Sequence, residues 1–307
     1  METDVLIVGA GLAGLSCAFE LAEAGRRVAL LEACPWLGGR TSSWTDADGM
    51  KVESGLHRVL GVYVALPELL KRAGIQMSDA VIWEDEVEFR QPRPLPSAVF
   101  AAAPGKHPLA VLADVFGNND YLPGPVKLSA TRLLTTGLAD YGKDPAALDR
   151  ISILDYARRQ EVHPDVISRI LEPLTAGIYF VPAGAMSAYV FLALIAPYVP
   201  TSYKMRVGSF SGGMSEVLAD PLAAAIRARG GRVETNSPAE ELIVRDGRVT
   251  GVRVREVVHT AKHVVLASSL RATQRLLEPA FAAAEWVRPV LELGTMPGIT
   301  LQLELDG

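Results

Sequence analysis

Three glycines, Gly9, Gly11 and Gly14, stand at G-x-G-x-x-G spacing, with Ala10, Leu12 and Ala13 in the intervening positions. Residues of this kind can hold a diphosphate. The first glycine permits a tight turn, the second lets backbone approach the anion, and the third lets a helix pack closely on a strand. An acidic residue about 20 positions further on can accept hydrogen bonds from a ribose diol, and Glu32 is placed for that role. A second group follows, Gly38-Gly39-Arg40, with Ala33 before it and Thr41 after it. Paired glycines permit another close backbone approach, and the arginine supplies a fixed cation beside a phosphate. The plain alternatives are a structural glycine turn and a surface arginine.

Elements able to position these groups flank them. Val5-Leu6-Ile7-Val8 is a short apolar run, as expected of a strand buried on both faces of a parallel sheet. Leu12, Leu15, Phe19 and Ala22 recur at helical spacing, and Gly25 is a stop signal. Val28–Leu31 reads as a second strand that delivers Glu32. Much later, Gly212-Gly213-Met214 precedes a helix running to Arg229, restarted at Pro221. Arg232–Thr235 is a strand, and Leu242–Arg245 with Arg248–Arg255 is a hairpin over Asp246-Gly247. His263–Ala267 is a further apolar strand, and Ile299–Leu305 reads as another.

The middle of the chain differs. Val87–Arg90 reads as a short strand, and Pro92, Pro94, Pro96, Pro104 and Pro108 then mark a domain crossing. The pattern is helical from Lys127 to Leu171, with Ser152 capping the 153–160 helix. Ser187–Val199 is the most apolar run. It is too short to span a bilayer and reads as a core helix, a lid over an apolar tunnel, or an interfacial face.

Gly38-Gly39-Arg40 resembles the signature of FAD-dependent amine oxidases and carotenoid desaturases. Glu53-Ser54-Gly55-Leu56-His57 with Gly61 and Tyr63 resembles the Glu-x-Gly-Leu-His…Gly-x-Tyr segment of phytoene and ζ-carotene desaturases. Residues 151–156 and 172–180 resemble two further desaturase elements in the same order. The resemblance covers nearly the whole chain. It implies an α/β fold: a Rossmann-like FAD-binding domain of the glutathione-reductase type with an inserted, largely helical α+β substrate domain. The expected division is 1–90 and 205–270 for FAD, 91–204 for substrate, and 271–307 for the start of a second substrate segment. It also implies that Gly55, Leu56 and His57 approach the flavin, and that Ala239 and Ala267 lie where the return segment meets the nucleotide. His57 is the candidate catalytic group. A histidine in an apolar stretch is also commonly a satisfied structural residue, so both readings stand.

The implied activity is desaturation of an apolar isoprenoid by hydride transfer to flavin, with a quinone as a candidate acceptor. The alternatives are an amine oxidase or hydroxysqualene-type oxidoreductase on the same frame, and a non-catalytic FAD- or lipid-binding protein. Relatives carry a Gly-Asp pair in a later flavin-contacting segment, and this sequence has no Gly-Asp pair. The expectation is a fragment or a naturally shortened chain, in either case with an incomplete ring site and poor turnover.

Composition bounds the rest. Hydrophobic residues at 49% and charged residues at 21% make a globular chain with a large core. A net charge of −5 argues against a nucleic-acid partner. Cys17 and Cys34 lack metal-ligand spacing, which predicts no metal site and a reduced, cytoplasmic setting. Association with the inner membrane surface is the further expectation for an apolar substrate.

Overall fold

The computed structural model of the chain describes residues 3–84, 86–89, 98–101, 119, 121–204 and 206–303. They fall into two compact units. One comprises Met1–Val59, Tyr63–Ile82 and Ser209–Gly307, and the other comprises Leu60–Val62 and Trp83–Gly208. The prolines that mark the crossing, Pro92, Pro94, Pro96, Pro104 and Pro108, lie outside the described residues.

The first unit is built on β1 (Thr3–Val8), α1 (Leu12–Glu23) and β2 (Val28–Leu31). It continues through a short hairpin of β3 (Ser43–Thr45) and β4 (Lys51–Glu53), then α2 (Ala65–Arg72). After the excursion into the second unit come α3 (Asp220–Ala228), β5 (Arg232–Glu234), β6 (Glu241–Arg245), β7 (Arg248–Val254), β8 (Val257–Leu266) and α4 (Leu270–Phe281). The main sheet has six strands in the order β5-β2-β1-β8-β7-β6. Its β5, β2, β1 and β8 pairings are parallel, with Val8 opposite both Leu31 and Leu266. β6, β7 and β8 form an antiparallel ribbon turned at Asp246-Gly247.

β1 is buried on both faces, and its alternation explains how. Val5 and Ile7 join Leu15, Phe19, Leu30, Leu222 and Ile226 in one cluster, which α1 and α3 cover. Leu6 and Val8 join Leu31, Leu242, Val252 and Leu276 in the other, which includes α4. Each such side chain contributes about 1.5–3 kcal/mol by leaving water. Ahead of α3, Ser215–Ala219 forms a π-helical turn, and the helix restarts with Pro221 in its first turn, where a missing N–H costs nothing.

The second unit is largely helical. Its core gathers Leu133 from Gly124–Lys143, Ile153 and Tyr156 from Ile153–Arg159, and Phe191 and Leu192 from Ala188–Ile195. Ser152 caps the Ile153–Arg159 helix by accepting from the Asp155 N–H at 3.0 Å. Glu86–Phe89 pairs antiparallel with Ala98–Ala101.

One open reading is narrowed and another changes. The apolar run Ser187–Val199 is an α-helix over Ala188–Ile195 continued by a 3-10 helix from Ala196, and its Phe191 and Leu192 are buried, which selects the core-helix reading over an interfacial face there. The run Ile299–Leu305 is not a strand over its described part, 299–303. No described strand pairs with it, and Ile299, Leu301 and Leu303 are exposed at 93%, 78% and 68%. A strand outside a ladder leaves its backbone groups to water, and periodicity alone does not hold it extended.

Candidate functional site

The turn after β1 is fixed by atoms on every side. The Gly9 N–H donates to the Leu31 carbonyl at 2.8 Å, and the Ala267 N–H donates to the Val8 carbonyl at 2.8 Å. Gly9 has φ of +100°, and a Cβ there would sit 2.9 Å from the Ala267 oxygen. A Cβ on Gly14 would lie 1.9 Å from the Gly9 oxygen, so no side chain fits between helix and strand. Gly11 is different. Among the described residues, the one near neighbour in the Cβ direction is the Gly38 oxygen, at an ordinary 3.8 Å, so they leave room there.

The second glycine loop meets the first. Gly11 and Gly38 form an isolated parallel bridge, and the Gly38 N–H donates to the Ala10 carbonyl at 2.9 Å. Gly39 has φ of +61°, and a Cβ on it would come within 3.1 Å of Gly11 Cα. Thr41 secures the loop by donating from Oγ1 to the Gly38 carbonyl at 2.8 Å. The Arg40 side chain is exposed and its guanidinium has no ion-pair or hydrogen-bond partner among the described residues.

Glu32 lies at the carboxyl end of β2 beside this turn. Its Oε2 accepts from the Ala10 N–H at 2.7 Å and its Oε1 from the Cys34 N–H at 2.9 Å. Each oxygen keeps a second lone pair for a further donor. The loop after β5 arrives at the same place, where the Ser237 N–H donates to the Glu32 carbonyl at 2.7 Å and the Asn236 N–H to the Cys34 carbonyl at 3.1 Å. Ala239, two residues on, is half-buried against the second cluster. Ala33 is exposed, and Leu12 packs on the first cluster while Ala13 is exposed.

Residues 172 positions apart lock the Arg40 loop. The Ser215 Oγ donates to the Leu37 carbonyl at 2.6 Å and accepts from the Ser43 N–H at 2.9 Å. Ser43 Oγ in turn accepts from the Ser215 N–H at 2.9 Å. Both serines are buried. Neither carries a local sequence signal, because each is informative only through the other.

Beyond this loop the β3–β4 hairpin leads to a cavity of about 360 Å³ lined by Glu53, Gly55, Leu56, His57, Phe210 and Met214, among others. That size lies in the range of small-ligand clefts. Gly55 and His57 are half-buried and Leu56 is 84% exposed. Glu53 Oε1 accepts from the Met214 N–H at 3.3 Å. Glu53 Oε2 and His57 Nδ1 are buried without a hydrogen-bond partner among the described residues. Burial holds the Glu53 carboxyl above its usual range, Glu216 adds to this, and the Met214 N–H and His57 oppose it. The sequence reading quoted Glu53 within a motif but gave it no role.

The residues present suit a flavin dinucleotide. The first turn of α1 has neither an acidic residue nor a side-chain cap, so its N–H groups and the helix dipole favour an anion. Gly11 is open on the protein side, Arg40 is unpaired, and two buried polar atoms in the adjoining cavity await partners.

This is the architecture of a dinucleotide-binding α/β protein. Residues 12–307 match the family of flavin-containing amine oxidoreductases, and the chain belongs to that family. FAD is the cofactor that goes with it. The chain is 28% identical over 311 residues to a 15-cis-phytoene desaturase of Synechococcus elongatus, covering 98% of this chain and 65% of the relative. It is 28% identical over 321 residues to a zeta-carotene desaturase of Synechocystis sp., covering 99% and 65%. It shares its fold with a putrescine oxidase structure bound to putrescine, with a TM-score of 0.64, 22% identity, and coverage of 90% of this chain and 60% of that one. The chain thus spans about 65% of the length of these desaturases. No helix among the described residues is long and apolar enough to cross a membrane.

Proposed function

We propose that this chain carries the FAD-binding frame and part of the substrate unit of an oxidoreductase that desaturates an apolar, carotenoid-like isoprenoid. The observation that carries the cofactor half is the Gly11–Gly38 bridge, which joins both glycine turns beside the uncapped end of α1. The names of the desaturase relatives support the substrate half.

In this reading Gly9, Ala10, Gly11, Leu12, Ala13 and Gly14 form the diphosphate turn, and Gly38, Gly39, Arg40 and Thr41 cover its other side. Glu32 takes the adenosine ribose, with Ala33, Ala239 and Ala267 around the nucleotide. Gly55, Leu56 and His57 face the ring system. Bound flavin supplies the hydride acceptor. The chain's residues hold it, orient it and restrict water at the cavity. Electrons then pass to a quinone, and the substrate is met at a membrane surface. Exposed Ile178 and Phe180 on the helical unit support that last point.

The test is reconstitution of the 307-residue chain with FAD. FAD is expected to bind more tightly than NAD, and NADP worst, because Glu32 repels a 2′-phosphate. Tightest binding to NAD overturns the cofactor assignment. Assay with phytoene or ζ-carotene and a quinone then decides the substrate, with slow turnover expected. Flotation with liposomes, lost on Phe180→Asp, tests the membrane step. An amine oxidase is the second reading, favoured by the putrescine oxidase fold. Oxidation of a primary amine in place of a polyene selects it. Firm FAD binding with neither activity selects a non-catalytic FAD-binding role.

A further inference from the structure

We propose that Glu53 is the residue through which this chain hydrogen-bonds the ring system of bound flavin, donating from Oε2, with the His57 imidazole beside it in the same cavity. The proposal rests on the FAD reading above and adds a proton-holding group to it.

Placement comes first. Glu53 closes β4 directly opposite Ser43 of β3, in a ladder whose facing Cα atoms lie about 4.5–5.5 Å apart. Ser43 follows the Arg40 loop by two residues. Ser54, next to Glu53, donates from its N–H to the Ser42 carbonyl at 3.0 Å and from its hydroxyl to the Arg40 carbonyl at 2.6 Å. The cavity therefore begins where the diphosphate loop ends. Glu32 precedes that loop and Glu53 follows it, so the two acids serve opposite halves of a dinucleotide held there by its diphosphate.

The side chain is set for a ligand. Its backbone N–H is taken by Gln302 Oε1 at 3.1 Å, and Oε1 is held by the Met214 N–H. Among the described residues Oε2 has no partner and is buried, as is His57 Nδ1. Native interiors leave few such atoms without a cause. The neighbouring walls are apolar at Leu56, Phe210, Met214 and Leu301. A planar, largely apolar ring with carbonyl and ring-nitrogen positions along one edge satisfies both atoms and walls together. Burial favours the neutral acid, which donates.

The charged and titratable side chains around Glu53 are Lys51 on its own strand, Glu216 on the return turn, and His57 and Arg58 on the following loop. Lys51 is paired with Glu216, and Arg58 donates to Ser209. A ring that accepts from Oε2 holds the Glu53 proton more tightly in the complex than in the free chain. Affinity for FAD then falls as pH rises through the Glu53 titration, by up to about tenfold per pH unit for one proton.

The experiment measures dissociation constants of the full chain for FAD and for ADP across the acidic to neutral range, with wild type, Glu53→Gln and Glu53→Leu. ADP has the adenosine and diphosphate but no flavin ring. In wild type, FAD affinity should fall with pH and ADP affinity should not follow it. Glu53→Gln should keep FAD binding, remove that pH dependence, and shift the absorption bands of the bound flavin, which separates the Glu53 proton from that of His57. Glu53→Leu should weaken FAD about tenfold, the scale of one buried hydrogen bond, and leave ADP unchanged. FAD binding with the same pH profile and spectrum in wild type and Glu53→Gln overturns the proposal alone. ADP binding without FAD binding in wild type also overturns it while sparing the nucleotide turn. Binding of neither ligand overturns the cofactor reading and the proposal together.

Discussion

Two apolar segments of the first unit share a strand-like pattern and meet different fates. β1 has parallel partners on both edges and a packed cluster on each face, so Leu6 and Ile7 are almost fully buried. Residues 299–303 also alternate, but Ile299, Leu301 and Leu303 face water and no described strand joins them. Among the described residues, the Gln302 side chain ties the segment to β4, accepting from the Glu53 N–H and donating to the Lys51 carbonyl at 2.6 Å. Apolar pattern proposes a strand, and neighbours on its edges decide whether it exists.

The strongest way to break the contrast is to disturb the packing around β1. Gly14→Ala places a Cβ against the Gly9 oxygen, and the helix must move off the strand. A loss on the order of 3 kcal/mol or more is expected in urea unfolding. A variant as stable as wild type would show that α1 does not pack as closely as described.

A matched pair sharpens it. Leu30→Ala in β2 removes a fully buried side chain and should cost about 2–5 kcal/mol. Leu301→Ala should change stability by less than about 0.5 kcal/mol. Equal losses in thermal melts would mean that 299–303 is packed after all.

The smallest effect lies at the start of β1. Asp4 pairs with Arg27 at 2.9 Å and with Lys262 at 2.9 Å, so its carboxyl titrates well below the usual range, chiefly through the Arg27 hydrogen bond. Its folded pKa is depressed, so its contribution is present above the ordinary carboxylate pKa and is lost as pH falls below it. Asp4→Asn should flatten the acid limb of a stability–pH profile slightly and leave the neutral region nearly unchanged. An unaltered acid limb would show that these exposed pairs contribute nothing.

Legibility followed the range of the interactions. β1, the glycine turn, α1 and β2 were readable because their signals lie within one local stretch, and Glu32 with them. The Asp246-Gly247 hairpin was readable for the same reason. β8 was read only from His263, because Val257–Lys262 mixes valines with charged and polar residues and is held as a strand by β7 and β1. Ser43 and Ser215 could not be found from sequence, since their bonds connect segments on either side of the second unit. Glu53 was visible as a letter in a motif, but its importance depends on burial that only the fold supplies. The strand reading failed over its described part, 299–303, because alternation carries no information about edges.

The position of β8 between β1 and the antiparallel ribbon also sets a schedule for synthesis. β1 is synthesised well before its partner on one side, residues 261–266, which lies far downstream in the chain. At about 5–20 residues per second, that edge waits on the order of tens of seconds. The Arg40 loop waits as well, until Ser215 emerges. A nascent chain of this design therefore carries an apolar, half-paired strand while the intervening residues are made. Slowing elongation before residue 257 should lengthen that exposure and raise the demand for chaperones, without altering the finished fold.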